Sequence, residues 1–217
     1  MDRILLIDKP AGMTSHDVVD RVRKVFSTRR VGHAGTLDPF ATGLLIIGVG
    51  DATKRLQTYV GMDKVYEATA RLGATSDTFD PEGSVSELPS TVYRLPSLPH
   101  IERTLDRFRG GYEQKAPLHS AKKIGGKKLY DLARSGTATE EMRPTKKVDI
   151  SELVVTDYAW PDLSFRVRCS SGTYIRSLAD DIGRELGCGA YLTTLRRTAI
   201  GEHRLEDATT LGRLTTD

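Results

Sequence analysis

Sulfur has little part to play in this chain. Its 217 residues include only two cysteines, Cys169 and Cys188. They form no CxxC pair and have no nearby histidine to complete a ligand set, which reads as two buried thiols and no structural metal. Long apolar runs are missing too. The longest, from Leu44 to Val49, falls far short of the roughly 20 residues that cross a bilayer. The N-terminal MDRILLIDKP has neither the apolar core nor the small-residue cleavage site of a signal peptide, so a cytoplasmic protein is expected. Nor does one sign of charge dominate: 32 Lys+Arg against 29 Asp+Glu leave a net charge of +3, too near balance to argue for nucleic acid by itself. There is no P-loop, Rossmann fingerprint or metal triad, no internal repeat and no low-complexity linker. What remains is an ordinary globular composition, long enough to bury a sizeable core.

The pattern along the chain alternates strands with irregularly placed helices. Residues 3–8 read as a strand ended by Lys9-Pro10-Ala11-Gly12. Thr14 then reads as the N-cap of a helix, with Asp17 in capping-box position and Val18, Val19, Val22 and Phe26 as the apolar stripe. A glycine-rich loop leads to a strand at 44–49 and a short helix around 52–60. In 65–73, Tyr66, Ala68, Ala70 and Leu72 share one strand face. After a Pro-rich connection, a helix points Ile101, Leu105 and Phe108 inward. Residues 109–126 show no clear period and read as a long exposed excursion that returns through a short helix at 127–136. Strands at 148–158 and 162–169 follow. Helix 173–187 carries the stripe Ile175, Leu178, Ala179, Ile182 and Leu186 and stops at Gly187. A last strand spans 190–200. This order predicts an α+β fold with a mixed, mostly antiparallel sheet flanked by helices.

One acid stands out. Asp38 lies between Leu37 and Pro39 in GHAGTLDPFATGLLIIGVG (32–50). Its plain reading is a turn opener or helix cap. Around it, Gly32, Gly35 and Gly43 would let backbone pack against something flat or bulky, and His33 and Thr36 are polar groups within the loop's reach. No second carboxylate is near, so the paired acids of a glycosidase are not evident. Basic residues cluster at 21–30, 122–128, 143–147 and at Arg196-Arg197, each a candidate phosphate contact. The acidic stretch 76–87 offsets them in the total and is expected to lie elsewhere.

At this point GHAGTLDPFATGLL resembles the catalytic motif of the bacterial tRNA pseudouridine-55 synthases, the TruB-type family. DKPAGMTSHDVV (8–19), DKVYEATARLG (63–73), SAKKIGGKKLYDLARSG (120–136), SSGTYIRSLADDIG (170–183) and LGCGAYLTTLRR (186–197) resemble further family blocks, in the family's order. The resemblance implies isomerisation of uridine 55 in the T loop of tRNA, with the base flipped into a pocket and no cofactor or metal. It implies Asp38 as the catalytic carboxylate, and three roles are open to it: attack on the sugar, attack on the ring, or removal of a sugar proton. It implies Arg176 beside Asp38 as a guanidinium that holds it ionised; the bland alternative is a helix pair with Asp180. Tyr66 is the expected stacking residue, its hydroxyl a candidate proton acceptor; alternation alone makes it core. Tyr174 and Leu195 would line the uridine pocket, although Leu195 by itself is simply a core residue. His33 would fill space inside the opened T loop, and Lys9 would support the catalytic loop. The block before Ser120 departs from the family, with His119 in place of the usual tyrosine.

The resemblance further implies one catalytic domain over 1–217 with an RNA-gripping insertion at about 109–146; in a second departure the chain stops at Asp217 where longer relatives add a PUA-type module, so no separate PUA-type domain is expected. The partner is the T stem-loop of tRNA, with no DNA, no membrane and no obligatory protein partner, and the protein a monomer. Flipping a base costs a few kcal/mol, which phosphate contacts and aromatic stacks of about 1–3 kcal/mol each can offset. Three rivals stand beside this reading: a guide-RNA-dependent synthase subunit, which shares the GTLDP loop; a non-catalytic tRNA chaperone; and a nucleoside hydrolase, for which no calcium-binding aspartate cluster is seen.

Overall fold

The computed structural model describes residues 2–120 and 122–215, and for Lys123, Ile124, Lys127, Lys128 and Arg134 the backbone alone. Three of the lysines expected to grip RNA, Lys123, Lys127 and Lys128, therefore have side chains outside the described residues. In chain order the elements are β1 (Arg3–Lys9), α1 (Ser15–Val25), β2 (Val31–Ala34), β3 (Thr42–Val49), α2 (Leu56–Gly61), β4 (Lys64–Leu72), β5 (Ala74–Ser76), β6 (Val85–Glu87), α3 (Leu98–Asp106), β7 (Gly110–Lys115), β8 (Lys123–Ile124) and β9 (Lys127–Lys128). There follow α4 (Leu129–Arg134), β10 (Thr145–Ala159), β11 (Asp162–Cys169), α5 (Ile175–Glu185), β12 (Ala190–Ile200), β13 (His203–Arg204) and β14 (Thr209–Thr210). This is an α+β fold built on a mixed sheet flanked by helices. The chain divides into two compact units: Met1–Glu67 with Arg168–Ser171 and Thr194–Asp217, and Ala68–Val167 with Gly172–Thr193. Strands β4, β11 and β12 contribute residues to both.

In the first unit the strands run in the order β14-β1-β3-β12. β1 lies antiparallel along the whole of β3, from Arg3↔Val49 to Lys9↔Gly43. The other edge of β3 is shared: β12 pairs parallel at its start, Arg197 opposite Gly43, and β2 antiparallel at its end. Both faces of β3 are covered. Leu45, Ile47 and Val49 pack with Ile7, Val31 and the α1 valines Val18, Val19 and Val22. Leu44 and Ile46, of opposite parity, pack with Ala34, Leu56 and Ile200. That double burial is why the strand reads as an unbroken apolar run, each large side chain contributing about 1.5–3 kcal/mol. Thr14 caps α1 in a full capping box with Asp17.

In the second unit the order is β4-β11-β10-β7. Along β4 the inward Ala68, Ala70 and Leu72 alternate with exposed or half-buried residues, and β11 does the same with Phe165 and Val167. α3 packs on β10 and α5, and α5 also on β7.

Two segments differ from the sequence reading. Val31–Ala34 is strand, not loop: its glycine and histidine hide the pairing with Ile46–Val49. The first part of the expected excursion, Gly110–Lys115, is strand β7 against β10. Its inward side chains include the polar Gln114, so no apolar alternation announces it.

Candidate active site

The Asp38 loop is held from below by a buried cation. The Lys9 side chain is 0% exposed, and its Nζ donates to the carbonyls of Pro10 at 2.9 Å, Met13 at 2.6 Å and Pro39 at 3.2 Å. The Gly12 N–H donates to the same Pro39 oxygen at 2.9 Å. One residue before Asp38, Leu37 is clamped by Ser15, whose hydroxyl accepts from Leu37 N at 2.9 Å and donates to Leu37 O at 3.2 Å. Asp38 O accepts from Ala41 N at 3.1 Å, a turn with Pro39 in its favoured second position. The Asp38 carboxylate, half-buried, is thus carried on a turn whose backbone is fixed on both sides.

Arg197 closes the loop from above. On β12, Leu195, Arg197 and Ala199 alternate inward, so this arginine, read from sequence as part of a phosphate-contact pair, lies in the interior at 1% exposure. Its Nε donates to Leu44 O at 2.7 Å and its Nη2 to Gly35 O at 3.0 Å. Gly43 makes the close approach possible: a Cβ there would stand 2.3 Å from Arg197 O, at a φ of +101°. The guanidinium charge also acts on the Tyr66 hydroxyl, favouring its ionised form against burial. Arg196, pointing the other way, pairs with Asp8 at 2.9 Å.

Tyr66 is 8% exposed on the inward face of β4. Burial raises its phenol pKa above the ordinary value; Arg197 opposes this, and the negative charge of Asp38 adds to it. Two residues earlier, the buried Lys64 donates to the carbonyls of Val60 at 2.6 Å and of Met62, capping the C-terminal end of α2 and fixing the start of β4. His33 is half-buried on β2. Its Nδ1 is buried without a hydrogen-bond partner, and burial, followed by the charges of Arg197 and His16, lowers its pKa. The ring is therefore neutral at neutral pH. In this unit the structure brings together the charge of Asp38, the Tyr66 hydroxyl, His33 and Arg197.

The second unit holds Arg176 and Tyr174. Arg176, on the first turn of α5, pairs with Asp80 at 3.0 Å, both side chains being buried. It also donates to Thr78 O at 2.9 Å and to His119 O at 3.1 Å. Asp80 is itself oriented, its Oδ1 accepting from Thr78 Oγ1 at 2.6 Å and from Glu82 N at 3.0 Å. The bland expectation of a pair with Asp180 fails: Asp180 lies 2.9 Å from Arg184. Tyr174, the N-cap residue of α5, is gripped at its backbone by Gln114, which accepts from Tyr174 N at 2.7 Å and donates to Tyr174 O at 3.0 Å. Tyr174 lines a cavity of about 160 Å³ together with Lys122, Thr145, Lys146 and Gly172. From the basic run at 143–147, Arg143 is buried, donating to Ala116 O at 2.8 Å and lying over the Phe79 ring at 5.1 Å. It is structural and not a phosphate contact.

Sequence reasoning missed Arg197, Asp80, Lys64 and Gln114 as parts of the site. For Arg197 the signal was present in its strand parity with Leu195. Asp80 sits in a loop without period, and nothing in the sequence marks it. Among the described residues no group of three or more His, Cys, Asp or Glu could hold a metal ion, and no helix is long and apolar enough to cross a membrane. Both cysteines are buried thiols outside any disulfide.

The chain matches two family models in sequence: the N-terminal domain of the TruB family pseudouridylate synthases over residues 23–175, and the tRNA pseudouridylate synthase B C-terminal domain over residues 176–216. It is 47% identical over 212 residues to the tRNA pseudouridine synthase B of Azoarcus sp. (strain BH72), covering 97% of this chain and 69% of that one. To the protein of the same name from Dechloromonas aromatica (strain RCB) it is 45% identical over 216 residues, covering 100% and 71%. Among solved structures it is similar to a chain in a Cbf5-Nop10-Gar1 complex, with a TM-score of 0.74 and 30% identity over 97% of this chain and 53% of that chain. It is also similar to a chain of an H/ACA RNP bound to a substrate RNA containing 2'-deoxyuridine, with a TM-score of 0.70 and 27% identity over 97% and 51%. The chain thus spans about half the length of those solved chains.

Proposed function

The chain belongs to the TruB family of pseudouridylate synthases, and from that membership we propose that it isomerises uridine to pseudouridine in tRNA, at position 55 of the T loop, with Asp38 as the catalytic carboxylate. The observation that carries the assignment of Asp38 is its setting: a half-buried acid on a turn locked by Lys9, Ser15 and Arg197, with the Tyr66 hydroxyl near enough to feel its charge.

The chemistry needs few parts. The N1–C1′ bond breaks, the base turns, and C5 bonds to the same sugar carbon; a proton leaves C5 and one is gained at N1. No electrons are exchanged with an outside reagent. A carboxylate held in a fixed geometry can act on the nucleoside as nucleophile or base, and fixing it beforehand is where much of the rate arises. In this reading the Tyr66 ring stacks on the flipped uracil, and Leu195 and Tyr174 each contact the nucleoside, as the family resemblance implies. The family resemblance gives Arg176 the task of keeping the carboxylate ionised, and Asp80 holds Arg176. His33, neutral and half-buried, occupies space vacated inside the T loop. Lys9 supports the loop. RNA is gripped through basic side chains on its phosphates, with single-stranded bases read by stacking.

The test is tritium release from tRNA labelled at uracil C5, with no guide RNA added. Wild-type protein is expected to release tritium, and Asp38→Asn to bind tRNA with its turnover abolished. Release that appears only when a guide RNA is supplied would favour the guide-RNA-dependent rival. Substantial isomerisation by purified Asp38→Asn would sink the assignment of Asp38.

A further inference from the structure

Two basic runs that lie apart in the sequence meet at one cavity. Lys122 belongs to the run at 122–128 and Lys146 to that at 143–147, and both line the cavity beside Tyr174. The backbone places each of them there. Lys146 stands directly opposite Gln114 in the β7–β10 pairing, so the two side chains leave the sheet on one face, the face on which Gln114 grips Tyr174. A Cβ on Gly172, whose φ is +83°, would stand 2.6 Å from Lys146 Nζ, so the ammonium lies over this glycine at the cavity wall. Lys147 leaves on the other face, where a Cβ on Gly111 would meet its Cε at 3.0 Å. Lys122 is fixed through its carbonyl, which accepts from Leu129 N at 2.6 Å, and the Leu129 side chain is fully buried. Lys122 thus stands at the foot of the β8–β9 hairpin, which turns at Gly125-Gly126 with φ of +55° and +82°.

The cavity suits an anion better than a base. Its described lining holds two ammonium groups and no carboxylate. The amide that could read a uracil edge is already engaged: Gln114 Nε2 donates to Tyr174 O and to the Tyr112 hydroxyl, and its Oε1 accepts from Tyr174 N. Both lysines are exposed, so they carry their charge without the cost of burial. An ammonium has three donors and no acceptor, which matches phosphate oxygens.

We propose that this cavity is a phosphodiester subsite, in which Lys122 and Lys146 together hold one backbone phosphate of the RNA, the one adjoining the nucleoside that Tyr174 contacts. This rests on the function proposed above, from which the nucleoside contact of Tyr174 is taken. A phosphate held from two sides fixes the strand next to the flipped nucleotide. It offsets part of the cost of unstacking the base at the place where that cost arises.

The experiment measures binding of a synthetic T-arm stem-loop across a salt series, with thermal unfolding and C5 tritium release alongside. It compares wild type, Lys122→Met, Lys146→Met and the double variant; methionine keeps the apolar stem and removes the charge. Two lysines on one phosphate predict that the double variant flattens the slope of log affinity against log salt by about 0.7–0.9, the share of a single phosphate. A loss of about twice that assigns them to separate phosphates, and an unchanged slope makes them solvated charges; either overturns the proposal. A second arm changes the RNA alone, placing one uncharged methylphosphonate at a time around the target uridine. Wild type is expected to lose affinity about tenfold at one linkage beside that uridine. The double variant should lose nothing further there, while other sensitive linkages cost it as much as they cost wild type. Wild type indifferent to the linkages beside the uridine, or equal losses in both proteins at every linkage, overturns the proposal. Tritium release keeps the two readings apart. Wild-type protein that releases none loses the function proposed above, whereas release without a sensitive linkage leaves that function standing and removes the subsite.

Discussion

Replacing Lys9 by methionine tests how the Asp38 loop is held. The change keeps the length and apolar stem of the side chain but deletes an ammonium that donates to the carbonyls of Pro10, Met13 and Pro39. Pro39 O keeps a partner in Gly12 N; the other two lose the Lys9 donor. A buried carbonyl left without a partner costs about 1–3 kcal/mol, but Pro10 is exposed and Met13 half-buried, so water reaches both and the loss is near the low end, about 2–4 kcal/mol in all. Removing a fully buried charge returns part of this, because desolvating an ammonium costs several kcal/mol. A net destabilisation of about 1–2 kcal/mol is expected, which in a chain of this size lowers the melting temperature by roughly 2–8 °C. Activity should suffer beyond the loss of folded protein, since Pro39 adjoins Asp38. A shift of about 1 Å there is enough for a hundredfold loss in single-turnover rate. Thermal melts with tritium release, both at temperatures where the variant stays folded, separate the two effects. A Lys9→Met protein with the melting temperature and rate of wild type would show that the three carbonyls are satisfied by water and that the lysine holds nothing.

Gly43→Ala should destabilise by about 3 kcal/mol or more, because its Cβ would meet Arg197 O at 2.3 Å and its φ is +101°; a urea midpoint unchanged from wild type would contradict the close β3–β12 approach. Asp80→Asn keeps the acceptor for Thr78 and Glu82 but strips Arg176 of its counter-charge. It should slow the chemical step more than it weakens tRNA binding, and the reverse order would assign the pair to RNA affinity. The Asp181 carboxyl is pushed up to about 6, by burial first and then by the adjacent Asp180. A carboxyl whose folded pKa exceeds its unfolded value of 3.8 stabilises the fold fully below that value, and the contribution is lost as pH rises through about 6. Asp181→Asn should therefore raise the urea midpoint at pH 7 relative to wild type and give little or no gain at about pH 4; equal shifts at both would refute the titration.

How far the sequence could be read depended on whether a residue's period and its chemistry agreed. They agree in α5, whose stripe Ile175, Leu178, Ala179, Ile182 and Leu186 is buried throughout, and in the Thr14–Asp17 capping box, which needs only local geometry. They disagree at the charged residues that hold the site. Lys9 shares strand parity with the buried Ile7, and Arg197 with Leu195 and Ala199; parity put both inside, while charge argued for solvent. Parity prevailed because each cation meets backbone carbonyls that the folded loops turn toward it, among them Pro39 O, 30 residues from Lys9, and Gly35 O, 162 residues from Arg197. Acceptors of that kind leave no mark in composition. Asp80 had no such clue, since a loop residue has no parity. Its burial follows from Arg176, 96 positions further along the chain, and from a Thr78 hydroxyl two residues away that fits many turns equally well. A charged residue in phase with a buried strand face is therefore better taken as a carbonyl clamp than as a solvated charge; in this chain that rule finds Lys9, Arg197 and Lys64, which is in phase with Tyr66 on β4, and misses Arg176 and Asp80, which lie on no strand.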